Sequence, residues 1–260
     1  MRTTNKWFSR SYFILIVILT YLPILSLVIF SFNEGRSITQ WTGFSFKWYV
    51  ELFQDSQLID AIVTTLMVAI ISTAVSTVIG TFAALGLSKS RRIIREITLG
   101  INNIPILSPE IITAIALFIF FGAFAIDRGL LTMILAHIGF STPYVILTVY
   151  PKVKSLDPNL THAAYDLGAT PGQALFKVIL PQIKVAVIAG AAIAFTMSFD
   201  DFVISYFTSS GYPQNISMYL YTLRRGIVPT VNALSTFIIL IIGVKIVYDY
   251  VKSYKKLEEE

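Results

Sequence analysis

Six long apolar runs constrain this chain more than anything else in it. They fall at about residues 12–32, 61–88, 99–125, 130–150, 182–207 and 231–250. An α-helix needs roughly 20 mostly apolar residues to cross the hydrocarbon of a bilayer. Inside lipid every backbone N–H and C=O must be paired, and a helix does that within its own segment. With 55% hydrophobic residues, 13% charged and a mean hydropathy of +0.72, a soluble domain is excluded. The sequence predicts an all-α, polytopic membrane protein with six transmembrane helices in one domain over residues 1–260. The first run is too long for a signal-peptide core and lacks a small-residue cleavage site, so it counts as the first span. There is no internal repeat at a solenoid period and no low-complexity segment. The Leu257–Glu260 end reads as a solvated tail.

The net charge of +5 could suggest a nucleic-acid partner, but its placement points to membrane topology instead. Arg2, Lys6 and Arg10 precede the first span, and Lys89, Arg91, Arg92 and Arg95 separate the second from the third. Lys152, Lys154, Lys177 and Lys184 flank the 152–181 segment, while Lys245, Lys252, Lys255 and Lys256 lie at the end. These make fifteen of the 20 Lys and Arg. Arg36, Lys47, Arg128, Arg224 and Arg225 fall in the other set of loops. The excess of positive charge predicts that both termini and the 152–181 segment are cytoplasmic.

That segment carries dense helix punctuation. Asp157-Pro158 is an N-cap followed by proline in the first turn. Leu160, Ala163, Ala164 and Leu167 follow at i, i+3, i+4, i+7, the spacing of one helix face. Gly168 occupies the place of a left-handed C-terminal cap. Thr170-Pro171 repeats the start signal, Ala174, Leu175, Val178 and Ile179 form a second apolar face, and Pro181 disturbs the backbone again. Two short helices meeting at a glycine corner on a membrane surface make a docking element. Elsewhere, residues 33–60 form the longest external loop, with a short interfacial helix carrying Trp48, Tyr49 and Phe53. Ser72, Thr73, Ala74, Ser76, Thr77 and Gly80 give the second span the small residues that close helix packing in lipid requires.

No residue set here can hydrolyse a nucleotide: there is no P-loop, and not even a Gly-Lys pair. The zinc-protease and nucleophile-elbow motifs are missing too. Cysteine is absent, which removes disulfides and thiolate sites. His137 reads as a packed, hydrogen-bonded helix residue. The intramembrane acids carry more information. Glu110 falls near the middle of the third run, and Asp200 and Asp201 in the outer part of the fifth. A carboxylate at the bilayer centre costs about 2.5–3.5 kcal/mol on insertion scales, and no Lys or Arg lies within the central or outer parts of these runs to pair with them. Such acids call for a polar cavity and a cation. Helical neighbours point about 100° apart, so one of Asp200 and Asp201 should face the path and the other hold a neighbouring element. Phe199, Phe202, Tyr206 and Trp48 can offer π faces to an ammonium group, whereas a hard metal ion would want more converging oxygens. Paired broken helices and inverted halves, frequent in ion-coupled carriers, are not visible in the sequence.

His162-Ala163-Ala164, three residues, Gly168, nine residues and Val178-Ile179-Leu180-Pro181 resemble the EAA loop of ABC importer permeases, with His162 where that family has Glu and Val178 where it has Ile. GFSFKWYVELF, LSPEI and SFDDFVIS are similar to segments of spermidine/putrescine permeases, and the likeness runs nearly end to end, closest to the second permease subunit. The resemblance implies a type I importer permease fold whose cytoplasmic coupling helix seats in an ATPase. The coupling residues carried over are His162, Ala163, Ala164, Asp166, Gly168, Leu180 and Pro181. Those carried over for polyamine passage are Glu110, Asp200, Asp201, Trp48 and Ser198. The implied partners are a homologous permease, an ABC ATPase dimer that uses ATP, a periplasmic or extracellular polyamine-binding protein and membrane lipid. No cofactor is expected on this chain, which is no enzyme, and its implied place is the bacterial inner membrane. A thiamine or ferric-iron permease and an ion-coupled carrier are the alternatives.

Overall fold

The computed structural model describes residues 6–258 apart from 38 and 224–228. Arg2, Arg224, Arg225, Glu259 and Glu260, used above, lie outside the described residues. The helices in chain order are α1 (Lys6–Phe30), α2 (Lys47–Gln54), α3 (Ser56–Lys89), α4 (Arg92–Leu107), α5 (Glu110–Ala123) and α6 (Leu130–Lys154). They continue with α7 (Asn159–Asp166), α8 (Pro171–Ala174), α9 (Leu180–Phe199), α10 (Val203–Thr208), α11 (Ile216–Thr222) and α12 (Pro229–Glu258). Among the described residues no β-strand is present, only an isolated bridge between Asn33 and Phe44.

Among the described residues, five helical stretches are long and apolar enough to span a bilayer: Arg10–Phe30, Ser56–Lys89, Leu130–Lys154, Pro171–Phe199 and Pro229–Lys252. The third apolar run is not one straight helix. It divides into α4 and α5, bent by 107° at Ser108-Pro109. Pro109 forces its predecessor out of the helical region, and Ser108 is extended at φ −80, ψ 143. Glu110 is therefore the first residue of a helix, not the middle of one. The fifth run also differs from expectation. Its helix stops at Phe199, and α10 starts only at Val203. Asp200 and Asp201 thus sit in a break, where the 100° rule for helical neighbours does not apply. Among the described residues, helices are therefore interrupted at 108–109 and at 200–202.

The chain forms two compact units, one up to Ile59 and from Leu220 onward, the other Asp60–Tyr219. In the first, α1 packs on α12 and α12 on α2. None of the apolar length of α1 is buried, so lipid or another chain must cover it. Asn33, wholly buried, donates to the Ser37 and Gln40 carbonyls and accepts from the Thr42 N–H and hydroxyl, which closes the external loop.

In the second unit α6 is central. Its Val145 receives two glycines: a Cβ on Gly80 of α3 would lie 2.7 Å from Val145 Cβ, and one on Gly190 of α9 would lie 3.4 Å from Val145 Cα. Close approach of this kind is how helices associate in lipid. Val149, Val153, Ile183, Ala84 and Ala194 continue the same core. A second core joins α5, α6 and α10 through Ala114, Phe121, Ala136, Phe140 and Ile204. Outside the breaks, then, α3, α6 and α9 make a continuous frame.

The 157–181 punctuation folds largely as its residues dictate. Asp157 Oδ1 accepts from the Asn159 N–H at 2.9 Å and starts α7. At the other end Gly168 is left-handed (φ +80), with Gly168 N–H bonded to Tyr165 O and Ala169 N–H to Ala164 O. Those two bonds define a Schellman cap. Thr170 and Gln173 then form a reciprocal capping box. One expectation fails here: the second helix is not short. It passes through a π turn at Leu175–Ile179 directly into α9. The Leu180 N–H reaches back to Leu175 O, and this wider turn accommodates the Pro181 ring without ending the helix.

Candidate functional site

The breaks at 108–109 and 200–202 meet in the second unit, because α5 and α10 pack on each other there. Between them lies a pocket of about 150 Å³ bordered by Ser108, Glu110, Thr113, Phe140, Tyr144 and Met197. Glu110 reaches it from the first turn of α5. Its carboxyl lies within side-chain hydrogen-bonding reach of Asp201 and also meets the charge of Asp200.

The two aspartates occupy different environments. Asp200 is exposed, and its carboxylate makes no hydrogen bond or ion pair among the described residues. The Asp201 side chain is wholly buried. It accepts from the Ile204 N–H (3.2 Å), the Ser205 N–H (2.8 Å) and the Ser205 hydroxyl (2.7 Å), and so starts α10. His137 Nε2 lies 3.3 Å from its Oδ2. Among the described residues no Lys or Arg pairs with Glu110, Asp200 or Asp201.

Ser198 is buried with its hydroxyl on His137 Nδ1 at 2.6 Å and on Ser72 at 3.1 Å. Trp48 belongs to the other unit. Only 1% exposed, it donates from Nε1 to the Asn33 carbonyl at 2.6 Å, and Lys47 Nζ covers its ring at 4.8 Å. The geometry therefore gathers Glu110, Asp200, Asp201 and Ser198, and gives Trp48 a fixed place under the external loop.

Sequence reasoning passed over Thr113, Tyr144, Ser205 and Asn215. One signal was readable: Asp201 and Ser205 are four apart, the spacing at which an acid before a helix reaches the N–H groups of its first turn. Nothing in the sequence marked Asn215, which donates to the Asp201 carbonyl at 2.6 Å from fourteen residues away.

The hairpin is the second candidate surface. His162, Ala163 and Asp166 are exposed, with Tyr165 at 41%, Phe176 at 62% and Leu167 at 89%. Ala164 faces inward at 7%, so the apolar face expected for α7 is divided, its Leu167 end turned outward. Gly168 makes the corner, and Leu180 and Pro181 begin α9 behind the π turn.

Apolar helices around a pocket that Glu110 borders at a helix break, with an exposed hairpin, define a membrane subunit that conducts a solute. Residues 76–254 match the model of the family described as "binding-protein-dependent transport system inner membrane component". The chain belongs to that family, as a multi-pass inner-membrane permease subunit and not an enzyme. It is 36% identical over 237 residues to the putrescine transport system permease protein PotI of Escherichia coli K12, covering 86% of this chain and 83% of that one. To the spermidine/putrescine permease protein PotC of Haemophilus influenzae it is 34% identical over 239 residues, 91% and 93% of the two chains. Among solved structures it resembles a bacterial ABC transporter that imports alginate (TM-score 0.68, 16% identity, 98% of both chains). The same holds for an alginate transporter in complex with a pentasaccharide-bound periplasmic protein (TM-score 0.63, 18% identity, 93% and 94% covered). The fold is that of type I ABC importer permeases.

Proposed function

We propose that this chain is one of two homologous permeases of an ATP-driven polyamine importer, and that its amine path runs past Glu110 and Asp200. The observation that carries this reading is the gathering of three carboxyls at two helix breaks with no Lys or Arg partner among the described residues. A protonated amine is the counter-charge such a site lacks. Phe140, Tyr144 and Met197 offer aromatic and thioether surface to the methylenes that follow it. Putrescine and spermidine are the cargoes in the names of relatives at 34–36% identity, which favours polyamine over thiamine or ferric iron.

The remaining parts follow from what each surface needs. The uncovered apolar length of α1 would lie against the second permease. The hairpin, with Leu167 exposed beside Tyr165 and His162, would seat in the groove of an ABC ATPase, one of two. The flanking Lys152, Lys154, Lys177 and Lys184, with Lys89 in the loop between the second and third spans, would favour the cytoplasmic face for it and for both termini. A periplasmic or extracellular binding protein would deliver the amine at the opposite face. The chain itself would hold no cofactor, and ATP would be spent by the partner. Closure of the ATPases would pull the hairpin, and through the continuous π turn into α9 would move the 200–202 break against the 108–109 break.

The test is reconstitution of the permease pair, ATPase and binding protein in proteoliposomes. ATP should drive uptake of labelled putrescine or spermidine. Uptake by this chain alone, driven by a pH gradient and indifferent to ATP, would make it a carrier instead.

A further inference from the structure

His137 is wholly buried on α6, between the helix that ends and the helix that begins at the 200–202 break. Its Nδ1 meets Ser198 Oγ on α9 at 2.6 Å, and its Nε2 meets Ser205 Oγ on α10 at 2.9 Å. Ser198 in turn touches Ser72 on α3. One imidazole thus bridges both sides of the break and ties it to α6 and α3, which are unbroken.

Donor directions at Ser205 are determined by its partners. Its single hydroxyl hydrogen goes to Asp201 Oδ2, and its oxygen already accepts from Asn215 Nδ2 at 2.8 Å. The Asn215 amide cannot be reversed, since Nδ2 also donates to the Asp201 carbonyl and Oδ1 accepts from the Met218 N–H. His137 Nε2 must therefore carry the hydrogen in its contact with Ser205. That N–H also lies near Asp201 Oδ2, which already holds the Ser205 N–H and hydroxyl. Only Oδ1, with a single backbone donor, has capacity left. Asp201 is anchored from within, while Glu110 and Asp200 are not.

We propose that His137 is a positioning residue for amine passage: acting through Asp201, it fixes the α9–α10 break and so the distance from that break to Glu110 across the pocket. The proposal rests on the polyamine reading above. A residue that only fills the core would affect the amount of assembled transporter and not the affinity of that transporter for amine.

The experiment is a double-mutant cycle of His137→Leu and Asp201→Asn in the reconstituted importer, with putrescine uptake normalised to assembled complex. His137→Leu should raise KM about tenfold, the scale of one lost hydrogen bond to a charged group, with Vmax within about twofold. On the Asp201→Asn background it should add less than about twofold, because the residue it acts through has already changed. His137→Gln, which keeps one donor, should recover part of the KM. Independent, multiplying effects of the two substitutions would overturn the proposal, as would an unchanged KM or a fall in Vmax alone. If His137→Leu does not assemble, His137→Gln enters the same cycle. Failure of both to assemble assigns His137 a purely structural role and refutes the proposal. If the unsubstituted complex takes up no polyamine, the functional reading itself has failed, and this inference goes with it.

Discussion

Asp200 and Asp201 are adjacent, yet the structure gives them different duties, and substitution should separate them. Asp201→Ala removes the start of α10 and leaves His137 and Ser205 without their buried acceptor. Breaking a buried pair from one side costs about 3–5 kcal/mol, so the expected result is loss of the protein from the membrane fraction by immunoblot. Asp200→Asn removes an exposed charge. Its expected result is normal abundance with a several-fold higher KM for spermidine. Gly80 supplies a packing test at the same scale. A methyl there would stand 2.7 Å from Val145, an overpacking of about 1–3 kcal/mol. Gly80→Ala should lower the melting temperature in detergent, and Val145→Ala in the same chain should restore part of it.

At the scale of elements, the hairpin shows how much local chemistry can dictate. The Asp157 start, the Gly168 corner and the Thr170 restart were legible because each depends on one or two side chains and the nearest N–H groups. The continuity from α8 into α9 was not legible. A proline normally ends or kinks a helix, and a π turn that absorbs it leaves no mark in apolar periodicity. The break in the third run could have been suspected from Ser108-Pro109, but its 107° bend depends on what α5 packs against, and those partners lie far along the chain. The same limit applied to the acids. Their charge and lack of a basic partner could be read directly, whereas their meeting across two breaks could not. Gly168→Ala tests the hairpin: its φ of +80 costs a non-glycine residue about 1–2 kcal/mol, while the added methyl meets nothing within 4 Å. Amide exchange across α7 should quicken and ATP-driven uptake should slow, with the abundance of the chain unchanged.

At the scale of the whole molecule, the fold class was legible because length and hydropathy decide it within lipid, where backbone pairing leaves few alternatives. Among the described residues, five continuous spans and one bent pair make up the six spans that hydropathy suggested. Leu167, 89% exposed at the hairpin corner, is better placed than the inward-facing Ala164 to touch another subunit. The Leu167→Cys variant should crosslink to the ATPase through its thiol, and labelling of that thiol from outside intact cells would invert the proposed topology. The most direct measurement concerns Glu110, the acid that borders the pocket. In the reconstituted importer, Glu110→Gln should reduce spermidine uptake about tenfold or more, the worth of one charge-assisted hydrogen bond, while the ATPase still copurifies with the permease pair. Spermidine uptake with unchanged KM and Vmax in that variant would contradict the account.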